Sequence, residues 1–97
     1  MENRAFQDLI RRTYLDKDRA TGLPATHMWF IEEVGELATA LREGDRMEQA
    51  GEFADVYAWL MTLANVAGVD MEEALEKYKK GCCGCGKIPC ACVGDKP

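Results

Sequence analysis

The chain has 97 residues, 47% hydrophobic and 30% charged, a composition ordinary for one small globular domain. A net charge of −5 and a pI near 4.8 argue against a nucleic-acid polymer as partner. No stretch approaches the roughly 18 apolar residues of a membrane span, and Met1-Glu2-Asn3-Arg4 lacks the apolar core of a signal peptide, so no membrane partner and a cytoplasmic setting are expected.

Hydrophobic periodicity predicts four helices and no alternating strand pattern, hence an all-α fold. The first helix is expected from about Asn3 to Leu15, where Ala5, Phe6, Leu9, Ile10, Thr13 and Tyr14 recur at three and four. The segment Asp16 to Pro24, rich in charge and holding Gly22 and Pro24, reads as a loop. A second helix begins near Pro24 to Thr26 and stops at Gly44. Asp45 then reads as the N-cap of a third helix, with Glu48 three residues on in a capping-box-like pattern, and Gly68 ends it. Asp70 caps a short fourth helix through Met71, Ala74, Leu75 and Tyr78. Chains this short bury a modest fraction of their surface, so the two long central helices are expected to form a bundle shared with a second copy, a homodimer or a homotetramer.

Two acidic patterns of the same shape stand inside those central helices, Glu33-Val34-Gly35-Glu36 and Glu52-Phe53-Ala54-Asp55. Residues three apart share a helix face, so packing the two helices together brings four carboxylates to one place. At about 100° per residue, Glu33 shares its arc with Trp29, Phe30, Leu37 and Ala40, and Glu52 with Val56, Trp59, Leu60 and Leu63. Glu36 and Asp55 sit at the edges of those arcs. A solvated acidic face would not carry tryptophan and leucine between its acids, and nothing basic lies on these stretches to pair with them. Buried carboxylates need a partner or a metal, and oxygen donors without His or Cys suit Mg²⁺, Mn²⁺ or Ca²⁺ rather than zinc. Mg²⁺ commonly shares its shell with substrate phosphates, which points to phosphoanhydride chemistry.

Glu32-Glu33-Val34-Gly35-Glu36, followed after 15 residues by Glu52-Phe53-Ala54-Asp55, resembles the EExxE and ExxD signature of MazG-like nucleotide pyrophosphohydrolases, in the all-α NTP pyrophosphatase superfamily. The likeness runs from about Trp29 to Tyr78. It implies a four-helix MazG-like domain over residues 1–80, with Glu33, Glu36, Glu52 and Asp55 as ligands of Mg²⁺ or Mn²⁺. Glu32 matches the first acid of the doublet, yet lies about 100° from Glu33 on the wheel, which makes it the weaker candidate. The activity implied is hydrolysis of a nucleoside triphosphate, NTP or dNTP, to the monophosphate and pyrophosphate. Glu32 or Glu48 would orient or deprotonate the attacking water; Glu48 lies one turn before Glu52. Phosphoribosyl-ATP pyrophosphohydrolase, with a similar fold and acid pattern, is an alternative. A non-enzymatic helical module that binds a structural ion is another.

Trp29 and Trp59 flank the acids, where an aromatic is either core or a platform for a nucleobase. Lys77 and Lys80, like Arg11, Arg12 and Lys79, are candidates to neutralise phosphates, against the simpler reading of a solvated basic face. His27, the only histidine, reads as a surface or capping residue at a helix start.

From Gly81 the composition changes abruptly, and a separate Cys-rich tail is expected over residues 81–97. All five cysteines lie there. Cys82-x-x-Cys85-Gly86-Lys87 has the spacing of a metal knuckle, and Cys90-x-Cys92 closes a second pair, with Cys83 to spare. Four thiolates in so short a span suit tetrahedral Zn²⁺; disulfides and an iron–sulfur cluster are the competing readings.

Overall fold

The structure, a computed structural model, describes residues 1–94; the last three positions of the expected tail segment, 95–97, lie outside the described residues. It is all-helical, with no strand among the described residues: α1 Asn3–Thr21, α2 Leu23–Glu43, α3 Arg46–Ala67 and a single turn, α4 Met71–Ala74, continued by a 3₁₀ turn Leu75–Tyr78. The helix stops act through local chemistry. Asp45 accepts from the Glu48 amide at 2.8 Å, satisfying one of the free N–H groups that open α3. Gly68 ends α3 at φ 76°, a left-handed position that favours glycine. Asp70 accepts from the Glu72 amide at 2.9 Å and starts α4.

The expected loop over Asp16 to Pro24 is corrected by the structure. Asp16, Lys17, Asp18 and Arg19 continue α1 for more than a turn, and the chain turns at Gly22 instead. Charged residues propagate a helix as well as apolar ones when they face solvent, and no Gly or Pro occurs before position 22.

Gly44 and Asp45 alone join α2 to α3, so the two long helices form an antiparallel hairpin, and α1 packs chiefly against α3. Met61, wholly inaccessible to solvent, sits at the centre with Ile10, Ala40 and Ala64; burying a methionine stabilises by roughly 1.5–3 kcal/mol. A polar bridge pins α1 to the end of α3. Gln7 donates to Asn65 Oδ1 at 3.1 Å and to the Val69 carbonyl at 2.7 Å, and its own Oε1 accepts from the Met71 amide at 2.9 Å. Asn65 returns a bond to the Gln7 carbonyl at 3.2 Å. Gln7 is buried, and all of its polar atoms being used is what makes that burial tolerable.

Much of the hairpin surface stays open. Ile31, Val34, Ala38 and Leu41 recur at three and four along α2 and are exposed, Ile31 and Leu41 by 52% each. On α3, Phe53 is 55% exposed and shares its stripe with Tyr57 and Leu60.

Candidate active site

The α2–α3 hairpin sets the acidic patterns of both helices beside each other. One carboxylate oxygen from each of Glu33, Glu36 and Glu52 lies within 4.8 Å of the others. Glu33 and Glu52 are half-buried and Glu36 is exposed, in line with their arc and edge positions on the wheel. Glu33 Oε2 and Glu52 Oε2 are both buried without a hydrogen-bond partner. Burial pushes the Glu33 carboxyl above its ordinary value, and the charges of Glu36, Asp55 and Glu52 add to the rise. Burial does the same to Glu52, reinforced by Glu36 and Asp55. Asp55, exposed, thus contributes its field to the cluster without joining the close trio.

Two cavities open on either side. One, of about 610 Å³, is lined by Glu36, Glu43, Glu48, Glu52 and Asp55 with Thr39, Ala40, Gly44 and Gly51. The other, of about 460 Å³, is lined by Trp29 and Trp59 with Asp55, Ala58 and Thr62, and across from them by Ile10, Tyr14, Lys17, Asp18 and Thr21. Asp55 lines both cavities. The two indoles meet edge to face, centroids 5.7 Å apart at 67°, so the pair presents an aromatic wall beside the acids. Burial raises the Asp18 carboxyl, against an opposing pull from the Thr62 hydroxyl.

Glu48 therefore reaches the acidic cavity, whereas Glu32 is exposed and lines neither cavity. Lys77 and Lys80 are exposed and line neither cavity as well, Lys77 lying over the Tyr78 ring at 5.2 Å. His27 is exposed at the start of α2. Lys17, Asp18 and Thr21 were missed from sequence, because they fall in the segment read as a loop. The signal was present: Tyr14, Lys17, Asp18 and Thr21 stand at i, i+3, i+4 and i+7, one face of a continued helix.

The MazG nucleotide pyrophosphohydrolase domain matches residues 23–81, more than half of the chain. The chain belongs to that family. No curated protein matches it. The MazG segment spans α2, α3 and the α4 turns, and so contains both acidic patterns and both tryptophans, while all of α1 and nearly all the cysteine tail lie outside it.

The carboxylate trio can hold a metal, and so can a second group in the tail. One sulfur from each of Cys82, Cys85, Cys90 and Cys92 lies within 4.8 Å of the others, and all five cysteines are free thiols. Amide N–H groups aim at the sulfurs: Gly84 at Cys82, 3.3 Å; Ala91 at Cys85, 3.4 Å; Cys92 at Cys90, 3.3 Å. The amides of Cys85 and Gly84 push the Cys82 thiol down to about 6. Cys92, hydrogen-bonded by Cys90 and its neighbours, is pushed up to about 12.

Proposed function

We propose that the chain is a divalent-cation-dependent nucleoside triphosphate pyrophosphohydrolase, converting an NTP or dNTP to the monophosphate and pyrophosphate. The observation that carries this reading is the pair of buried, unpartnered oxygens of Glu33 and Glu52 inside a MazG segment. A buried carboxylate oxygen without a partner is unfavourable, and three hard oxygens from a rigid hairpin are the donor set that Mg²⁺ or Mn²⁺ takes. The residues present fit that cation. Glu33, Glu36 and Glu52 would hold it, with Asp55 completing the set from the rim. When bound, the cation supplies positive charge to the triphosphate oxygens and makes water a better nucleophile at neutral pH.

The protein's own groups then divide the work. Glu48, in the acidic cavity one turn from Glu52, is placed to orient the attacking water and take its proton; Glu32 faces away and is left a minor role. Trp29 and Trp59 form the wall on which a nucleobase stacks, and Lys17, in the same cavity, offers a cation to the phosphates. Lys77 and Lys80 would reach a substrate only if it extends beyond both cavities. The exposed apolar stripes of α2 and α3 support a homodimer or homotetramer built on the hairpin; light scattering should give at least twice the 10.8 kDa of one chain at micromolar concentration, and a monomer mass there would defeat the shared bundle.

A substrate panel tests the reading. With Mg²⁺ or Mn²⁺, an NTP or dNTP should yield monophosphate and pyrophosphate. Turnover restricted to phosphoribosyl-ATP would transfer the chemistry to that substrate, and no pyrophosphate from any member would leave a metal-binding interaction module.

A further inference from the structure

The MazG segment ends at residue 81, and the chemistry proposed above uses nothing beyond it, yet five of the next eleven residues are cysteines, four of them with their sulfurs gathered together. We propose that Cys82, Cys85, Cys90 and Cys92 form a closed tetrathiolate site for one Zn²⁺, whose task is to fold the tail. Four ligands at a Zn–S distance of about 2.3 Å in a tetrahedron have sulfurs about 3.8 Å apart; the Cys82 and Cys92 sulfurs are 3.7 Å apart, and all four sulfurs lie within 4.8 Å. That is the spacing around one ion. A cluster of several irons sits between its cysteines and holds them farther apart, and disulfide sulfurs bond at about 2.05 Å.

The backbone is shaped for the same end. Cys82 N–H donates to the Lys87 carbonyl at 3.1 Å and Gly86 N–H to the Cys82 carbonyl at 2.7 Å, closing a tight loop around the first two thiols. Gly86 makes that turn at φ 73°. At Gly81, φ 117°, an added Cβ would lie 2.5 Å from Ile88 Cγ1 and 2.9 Å from the Lys87 carbonyl, so the entry to the loop admits only glycine. With the amides directed at the sulfurs, the loop solvates thiolate charge before a metal arrives. The tail has little else to hold it: Ile88 and Val93 are both exposed, so metal binding is its source of folding energy. Thiolates select Zn²⁺ over Mg²⁺, and four protein ligands leave no open position, which makes the site structural rather than catalytic. Lys79 and Lys80 precede the site in sequence and Lys87 lies within it, between Cys85 and Cys90; their positive charge suits the negative charge of a zinc tetrathiolate. Cys83, exposed and outside the four, remains a free thiol.

The test is elemental analysis of the full chain purified under reducing conditions without chelator, paired with alkylation of the native protein read by mass spectrometry. The proposal expects about one zinc per chain and a single adduct, on Cys83; stripping the metal should expose all five thiols. Cys90→Ser should lose the zinc while helicity by circular dichroism stays, and Cys83→Ser should keep it. Five reactive thiols and no metal in the wild type, iron in place of zinc, disulfides within the tail, or undiminished zinc in Cys90→Ser would each overturn it. None of these readouts depends on hydrolysis, so failure here leaves the carboxylate site untouched.

Discussion

The two metal-capable groups of this small chain are built by opposite means. The carboxylates ride on α2 and α3, long helices that pack around Met61 and Ala40 through apolar contacts of their own; the hairpin forces like charges together, and its folding energy covers the cost. The thiols stand on a segment without helix or core, gathered by glycine turns and amide bonds. Removing a ligand should therefore damage function in the first and local order in the second. A rigid site strained without its ion suits catalysis, since the strain is relieved by a cation that must also leave room for substrate. A closed site that folds with its ion suits architecture.

The sharpest way to break that contrast is at Glu52. Changes to groups that merely support metal ligands lower affinity or activity by about 10–100-fold, so Glu52→Gln should lower kcat/KM by at least about 100-fold while circular dichroism stays helical. A variant with full turnover would end the carboxylate account. Next comes the aromatic wall: base stacking on an aromatic side chain is worth about 1–3 kcal/mol, so Trp29→Ala should raise KM roughly 5- to 150-fold with a smaller change in kcat. An unchanged KM would return Trp29 to packing alone.

A third, smaller effect follows from the raised carboxyls. Glu33 and Glu52 hold protons more tightly folded than unfolded, so without metal the folded state binds more protons just above their ordinary value of 4.5. Stability then falls as pH rises through that window. Asp8, held low by Arg11 and Arg12, has the opposite sign and acts below its ordinary 3.8, where its stabilisation is lost as pH falls. Melting temperature against pH should show the decline above 4.5; Mg²⁺ should flatten it and raise Tm in the wild type but barely in Glu52→Gln. A Tm that climbs with pH across that window without metal would contradict the repulsive cluster. The smallest effect belongs to the tail: Cys90→Ser should leave kcat/KM for Mg²⁺-dependent hydrolysis unchanged, and a large loss would show that the two regions are coupled.

What the sequence made legible was local or periodic. Asp45, Asp70 and Gly68 each act within a few residues, so their caps could be read directly, and helical spacing alone put Glu33 and Glu52 on inward arcs. The Gln7–Asn65 bridge joins residues 58 apart, and nothing local in either amide announces the other. The extension of α1 was lost because charge was read as loop, and with it went Lys17 and Asp18, the far wall of the aromatic cavity. In the tail, the Cys-x-x-Cys and Cys-x-Cys spacings already set Cys83 aside, while the closeness of the other four sulfurs is a matter of three-dimensional geometry.

The central claim is that the acids of α2 and α3 serve a hard cation in phosphoanhydride hydrolysis. It is tested most directly by measuring pyrophosphate and monophosphate release from nucleoside triphosphates as Mg²⁺ is titrated into the wild-type chain. The account predicts release that starts from background, rises with Mg²⁺ and saturates, with the two products in equal amounts. Release independent of Mg²⁺ and Mn²⁺, or none at any concentration of either, would contradict it.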